Sequence, residues 1–393
     1  MSPLFTFIVI VLAVLAVLGI VVGVANDAVN FLNSALGSKV APRRTILWVA
    51  SAGILIGTLT SSGMMEVARS GVFYPSEFTF PEVMMLFLGM MLGNVLLLDL
   101  FNTLGLPTST TVSMVFGLLG AAVAAALHRI WVDPAFELSN LSQFINSGKA
   151  MVIIAAILVS VALAFGAGIL FMYISRLIFS FRYAPAFRRY GAVWCGISFA
   201  GIIYFALFKG LKTVLAGLAF IRFIDQHLLL SLFICWVGCS LLLFFIQRLK
   251  INILRITILA GTFSLALAFA GNDLVNFIGV PLAGYDSYLD YAANGAGSDS
   301  YLMGALNTPA RTPFLFLAAA GLIMVWTLCT SKKAQKVIKT SVDLSRQDEG
   351  EEMFGSSAVA RSIVRTSMSL ANTVASITPP RLKAWLDTRF SQE

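Results

Sequence analysis

The sequence predicts an all-α polytopic membrane protein folded around an inverted internal repeat, and three observations lead there. First, 58% of its 393 residues are hydrophobic and only 12% are charged, with a mean hydropathy of +0.88. A soluble globule needs a polar exterior that this composition cannot supply. Second, the apolar residues fall in runs long enough to cross a ~30 Å hydrocarbon core as helices, which takes about 20 residues, whereas barrel strands would read as short alternating segments. Third, the string Asn26-Asp27-Ala28-Val29-Asn30 ends one long run and returns as Asn272-Asp273-Leu274-Val275-Asn276 at the end of another.

In chain order, spans or near-spans are predicted at Leu4–Val24, Thr45–Ser61, Val83–Leu104, Thr108–Leu127, Ala150–Ile174, Ala192–Phe208, Leu228–Ile246, Ile253–Ala270 and Pro313–Cys329. The first run lacks a basic flank and a small-residue cleavage site, so it reads as a retained helix, not a signal peptide. Gly210–Ile224 is shorter and carries Lys212 and Arg222, which suits a re-entrant or interfacial piece. Cys195, Cys235, Cys239 and Cys329 lie in or beside apolar runs, where free cysteine behaves as a small hydrophobe. The expected organisation is a first repeat over 1–130, connecting helices over 131–250, the start of a second repeat over 251–330, and a polar loop over 331–393.

The net charge of +8 matters through its distribution between loops, not as a sign of nucleic-acid binding. Basic residues gather at Lys39/Arg43/Arg44, Arg176/Arg182/Arg188/Arg189, Arg248/Lys250/Arg255 and Lys332/Lys333/Lys336/Lys339, while the loops around Glu66–Glu82 and Tyr285–Arg311 are mostly acidic. The positive-inside rule then puts the basic loops and residues 331–393 in the cytoplasm. The first Asn-Asp helix would run inward and the second outward. Inverted repeats with polar breaks in matching helices are the architecture of secondary transporters, which hold substrate and coupling ion at the repeat interface.

The aligned stretches Asn26–Ser38 and Asn272–Gly284 share Asn26/Asn272, Asp27/Asp273, Val29/Val275, Asn30/Asn276, Phe31/Phe277 and Leu36/Leu282. A carboxylate flanked by amides at membrane depth is costly unless it faces a partner, an ion or water. A polar helix end can also be a plain cap, but Asn30 and Asn33 carry this face too deep for that. Between the copies lies Gly105-Leu106-Pro107-Thr108-Ser109-Thr110-Thr111. Proline favours a helix start, and the unpaired N–H groups of that first turn, with clustered hydroxyls, can receive an anion. The same residues also suit an ordinary N-cap with hydroxyls bonded back to carbonyls, and the residues alone leave both readings open.

At these motifs the chain resembles the inorganic phosphate transporter family, which carries Gly-Ala-Asn-Asp-Val-Ala-Asn-Ala twice in inverted halves. It is matched here by Val24-Ala25-Asn26-Asp27-Ala28-Val29-Asn30-Phe31 and Ala270-Gly271-Asn272-Asp273-Leu274-Val275-Asn276-Phe277. The family's Pro-Val-Ser-Thr-Thr-His segment is matched by Pro107-Thr108-Ser109-Thr110-Thr111-Val112. The resemblance implies a symporter in which Asp27, Asn26, Asp273 and Asn272 bind the coupling cation, sodium in the first instance. It implies a phosphate site built from Ser109, Thr110, Thr111, Asn30 and Asn276. Glu66 falls about where the family has another acidic residue and is a candidate gate. Phe31 and Phe277 stand in place of a small residue and Val112 in place of a frequent histidine, which keeps sulfate or another tetrahedral oxyanion, with proton coupling, as the alternative.

The second half should also hold a Pro-x-Ser-Thr-Thr segment, and none occurs before Glu393. The expectation is an incomplete second repeat, truncated within an inserted cytoplasmic loop. Within that loop, Val359, Ile363, Leu370 and Val374 share one face of Ala358–Ile377, with Arg361 and Arg365 elsewhere. That pattern fits either an amphipathic helix on the inner leaflet or a solvated linker helix. An enzyme is not expected, because His128 and His227 fall at run ends and no metal-ligand spacing is present. A channel or sensor on the same fold is the weaker competitor. Inorganic phosphate and the lipid bilayer of the cytoplasmic membrane are the expected partners, without nucleic acid or an organic cofactor, and a homodimer is compatible with the reading.

Overall fold

The computed structural model describes residues 3–61, 71–207, 218–295, 297–308, 312–345, 355 and 357–391. The described residues are almost wholly helical, and they form α1 (Pro3–Asp27), α2 (Val29–Gly37), α3 (Arg43–Thr60), α4 (Phe80–Leu104), α5 (Thr110–Val132), α6 (Ser147–Phe179), α7 (Tyr183–Phe205), α8 (Ala219–Gln226), α9 (Leu228–Arg248), α10 (Ile253–Asn294), α11 (Phe314–Thr330), α12 (Lys332–Leu344), α13 (Ala358–Ile377) and α14 (Pro380–Phe390). Every span read from the sequence has its helix. Six stretches among the described residues, with α1 and α2 counted as one, are long and apolar enough to cross a membrane, and the count is seven if the pair α11–α12, bent by 65°, is taken as one span. α3 and α7 are helices outside that set; each begins with an arginine pair or carries one in its first turns. Of Gly210–Ile224, only 218 onward is described, ending in the short α8.

α1 and α10 run antiparallel. Thr6 Oγ1 meets Tyr288 Oη at 2.9 Å, Leu12 lies against Gly284, and Gly23 lies against Phe277, so rising numbers on one helix meet falling numbers on the other. α3 runs parallel to α10: Gly53 faces the Phe263 carbonyl, Gly57 faces the Leu267 carbonyl, and Ser61 Oγ donates to Gly271 O at 2.9 Å. The close approach on this side depends on glycine. A methyl group at Gly53 would fall 2.5 Å from Phe263 O and one at Gly57 2.2 Å from Leu267 O, the small-residue spacing by which membrane helices bring backbones together.

Sequence reading ended the second Asn-Asp span at Ala270, but α10 continues unbroken for 42 residues. The first copy is interrupted only at Ala28, whose φ −53° and ψ −27° are still helical, with Ala28 N bonded to Val24 O and Leu32 N to Ala28 O. The polar residues share a face that finds partners, so the backbone has no need to unwind. Pro281 sits inside α10 and, lacking an N–H, cannot bond the Phe277 carbonyl. That carbonyl faces Gly19 on α1.

The two ends of the bundle are closed differently. At one end, loops 71–79, 133–146 and 298–308 are knitted by bridges Phe73↔Ile145 and Thr79↔Leu302 over a cluster of Phe73, Phe78, Phe80, Phe87 and Phe144. Phe80 stacks on Tyr291 there at 4.0 Å and 6°. At the other end α12 lies across α2 and the end of α4. Lys333 pairs with Asp99 at 2.6 Å, Lys336 Nζ donates to Thr103 O, and Asn33 Nδ2 donates to Ser341 Oγ at 3.1 Å. The ion pair is half exposed and contributes little by itself, about 0–1 kcal/mol; the buried Ala334, Val337 and Ile338 hold α12 in place. α6 and α9 bury almost nothing against the rest, as helices facing lipid do.

Candidate functional site

The chain reverses direction at the α4–α5 turn, in the middle of the first half, and this turn is built from local rules. Gly105 takes φ +76°, the left-handed conformation that ends a helix and favours glycine. Gly105 N reaches Asn102 O, and Leu106 N reaches Phe101 O at 2.9 Å. After Pro107, α5 starts with Ser109 as its N-cap, whose Oγ accepts from Val112 N at 3.2 Å. The ordinary capping reading of Ser109 is therefore correct for its contact inside the chain. Its side chain is otherwise exposed.

The first Asn-Asp motif grips this turn. Fully buried Asn26 donates through Nδ2 to Asn102 Oδ1 at 2.8 Å and to Leu106 O at 3.1 Å, and its Oδ1 accepts from Thr108 N at 2.7 Å. Asn102 Nδ2 in turn donates to Val22 O at 2.7 Å. Both ends of the Asn26 amide are thus committed to holding the turn. Asp27, 3% exposed, accepts from Thr110 Oγ1 at 2.6 Å, a distance typical of a hydroxyl bonded to a carboxylate.

The second motif reaches the same turn from α10. Asn276 Nδ2 donates to Thr111 Oγ1 at 2.9 Å and, more distantly, to Asp273 Oδ1 at 3.4 Å; Asn272 Nδ2 lies 3.4 Å from the same oxygen. Consecutive threonines at the start of α5 therefore bond to opposite copies of the repeat.

The two copies are not equivalent. Asn30, Asn272 and Asp273 line a cavity of about 240 Å³, together with Phe31, Phe205, Leu265, Ala268 and Phe269, whereas Asn26 and Asp27 are packed in. One carboxylate and two amides facing a cavity offer hard oxygens of the kind alkali and alkaline-earth cations take. The first turn of a helix has N–H groups without intrahelical partners, and with the exposed Ser109 and Thr111 side chains at the start of α5 it is a place where an anion can be received. Phe31 and Phe269 stand at 5.2 Å, Phe269 and Phe277 at 6.3 Å. Phe277 fills the space left by Gly23, where a methyl group would fall 2.0 Å from its ring, so the bulk of the second-copy phenylalanine is matched by a glycine opposite.

The structure brings Asn26, Asp27, Ser109, Thr110, Thr111, Asn272, Asp273 and Asn276 to one place, with Asn30 across the cavity. Glu66 lies outside the described residues. Sequence reading missed Asn102, the partner that fixes Asn26, and the buried pair Asn94 and Ser113, in which Ser113 Oγ donates to Asn94 Oδ1 at 2.6 Å. The available signal was an amide inside an apolar run, which is itself a reason to look for a partner.

The model of the Phosphate transporter family matches residues 23–342, which includes every residue of this site. The chain is similar to two archaeal proteins named "Putative phosphate permease". One, from Pyrococcus abyssi, is 27% identical over 277 residues, covering 66% of this chain and 62% of that protein. The other, from Thermococcus kodakarensis, is 27% identical over 282 residues with the same coverage. The chain thus spans 62% of the length of these relatives. Among solved structures it is similar in fold to "The sodium-dependent phosphate transporter", with a TM-score of 0.57 and 17% identity over 86% of this chain and 78% of that one.

Proposed function

The chain belongs to the phosphate transporter family, and from that premise we propose that it is a sodium-coupled symporter of inorganic phosphate working by alternating access in the cytoplasmic membrane. The observation that carries this reading is the start of α5 held between the two inverted motifs, Thr110 on Asp27 and Thr111 on Asn276. In the proposed cycle, Asp273 with Asn272 and Asn30 takes the cation from the cavity. Asp27 completes the cation's surroundings from the buried side. Ser109, Thr110 and Thr111 turn hydroxyls and N–H groups to the phosphate oxygens, while Asn26 and Asn276 position the turn. A bound cation between the carboxylates removes their mutual repulsion and offsets the desolvation of the anion beside them, which is a physical basis for moving both or neither. Two proteins named as phosphate permeases and a sodium-dependent phosphate transporter of like fold support the choice of substrate and ion.

Purified chain in proteoliposomes tests this directly. Labelled phosphate should accumulate against its gradient when sodium is high outside and should stop when potassium replaces sodium. Accumulation driven equally well by a proton gradient without sodium, or of sulfate in preference to phosphate, would sink the assignment of ion or anion respectively.

The hydroxyls should separate by role. Thr110→Ala removes the donor to Asp27 at the junction of both sites, and a hydrogen bond to a charged group contributes about 1.5–3 kcal/mol. At ~1.4 kcal/mol per tenfold, apparent phosphate affinity should fall about ten- to a hundredfold. Ser109→Ala should also lower the melting temperature, since losing an N-cap costs ~0.5–2 kcal/mol. Unchanged phosphate affinity in both variants, with only stability lowered, would remove these residues from the site.

The proposed orientation makes the aromatic-capped end external and the α12 end cytoplasmic. In a background free of native cysteines, a cysteine at Asp299 should react with an impermeant maleimide added to intact cells, while one at Ser357 should react only after the membrane is opened. The reverse pattern would invert the assignment of sides.

A further inference from the structure

α13 and α14 lie beyond residue 342, where the family match ends, and the transport site makes no use of them. α13 is well capped, with Ser357 Oγ accepting from Ala360 N at 3.1 Å, yet its described side chains are all exposed. Val359, Ile363, Leu370, Val374 and Ile377 fall along one stripe and are all more than half exposed, Ile377 at 78%. Such a stripe left in water works against solubility and asks for an apolar cover.

Two further observations say what the cover is. The first is position. Phe390 of α14 stacks on Tyr173 of α6 at 5.3 Å and 25°, and Tyr173 lies one residue before the end of the apolar stretch Ala150–Ile174, just ahead of Arg176. That puts α14 beside the boundary between hydrocarbon and headgroups, the level at which an interfacial helix lies. The second is charge. From Ser357 to Ser391 there are five basic residues, Arg361, Arg365, Arg381, Lys383 and Arg389, against one acid, Asp387. The carboxylates at 348, 349, 351 and 352 stop before the helix begins. On α13 both arginines lie off the apolar stripe, and on α14 Arg389 lies over the Trp385 ring at 5.3 Å, an aromatic of the type that settles at headgroup level. The neighbouring end of α6 adds Arg176 and Arg182.

We propose that α13 and α14 form a membrane-surface module that lays the Val359–Ile377 stripe into the leaflet at which α6 ends, with its arginines and lysine on anionic phospholipid headgroups. The module tethers the chain beyond α12 to the same leaflet, so that the lipid charge beside the transport bundle sets how firmly that segment is held.

The test uses the full chain with Cys195, Cys235, Cys239 and Cys329 replaced by serine and one reporter cysteine carrying an environment-sensitive fluorophore, either Leu370→Cys on the stripe or Ser369→Cys beside the arginines. It is reconstituted in nanodiscs of phosphatidylcholine alone or with phosphatidylglycerol, with acyl chains brominated to quench probes in the hydrocarbon. The Leu370 probe should be quenched in the anionic discs and the Ser369 probe should stay accessible to an aqueous quencher. Each of Arg361→Gln and Arg365→Gln should lower the membrane-bound to free ratio about fivefold, following the ~1 kcal/mol that a basic residue gains near an anionic surface. A Leu370 probe open to the aqueous quencher in both lipids overturns the proposal. So does one shielded from water and bromine alike, which would mean that protein covers the stripe, and so does quenching that ignores lipid charge.

Discussion

Sodium-driven phosphate accumulation should fall about a hundredfold or more when Asp27 or Asp273 is replaced by asparagine. Each substitution keeps the shape and one oxygen acceptor: the amide at 27 can still receive the Thr110 hydroxyl that the carboxylate holds at 2.6 Å. What it removes is negative charge, from a packed interior at Asp27 and from the wall of the cavity at Asp273. Breaking a buried charge pair by deleting one partner costs ~3–5 kcal/mol, or two to more than three powers of ten at ~1.4 kcal/mol each. The loss should appear as a need for far more sodium, not as a failure to insert. Uptake near the wild-type level in both variants would reduce the duplicated motif to helix packing.

The second large effect is on stability, at the α3–α10 contact. A methyl group at Gly57 would stand 2.2 Å from the Leu267 carbonyl and 3.0 Å from the Ala270 side chain, and backbone cannot swing aside as a side chain can. Overpacking costs ~1–3 kcal/mol even where side chains adapt, so Gly57→Ala should lower the melting temperature in detergent and Gly57→Leu should prevent recovery of monodisperse protein. Gly93, also in a membrane-spanning helix, has open space where a methyl group would go, with nothing within 4 Å. Gly93→Ala should be neutral or mildly stabilising, by up to ~1 kcal/mol. Equal behaviour of Gly57→Ala and Gly93→Ala would show that the two helices are not pressed together at this point.

Helix positions were legible because apolar run length is a direct consequence of bilayer thickness, and the spans from Leu4–Val24 to Pro313–Cys329 each found their helix. The convergence of residues 26–30, 107–111 and 272–276 was legible because polar groups at membrane depth need one another. The continuity of α10 through Asn272 and Asp273 was not, since a pair of polar residues marks the end of an apolar run equally well whether the helix stops or merely turns a polar face to a partner. Asn102 and the different exposure of the two Asn-Asp copies were hidden for a related reason. Identical strings carry no record of which copy packs against the α4–α5 turn and which borders an open cavity. Nor does the string Gly53-Ile54-Leu55-Ile56-Gly57 say which helix it admits, although its spacing could have announced a close contact.

Pro281 gives α10 a mechanical property that its sheer length would otherwise deny it. The segment before it is pressed to α3 through Gly53 and Gly57, and the segment after it is pinned where Tyr291 stacks on Phe80. Between these two anchorages one rung of the helix ladder is missing, because the Phe277 carbonyl has no N–H to meet at position 281. A rod fastened at both ends yields where a bond is already absent, so relative movement of the two anchorages concentrates its bending beside Asn276, one turn from Asp273. Asp273 rides on the arm nearest that joint, where a small change of angle at the far end becomes a displacement of the groups that line the cavity.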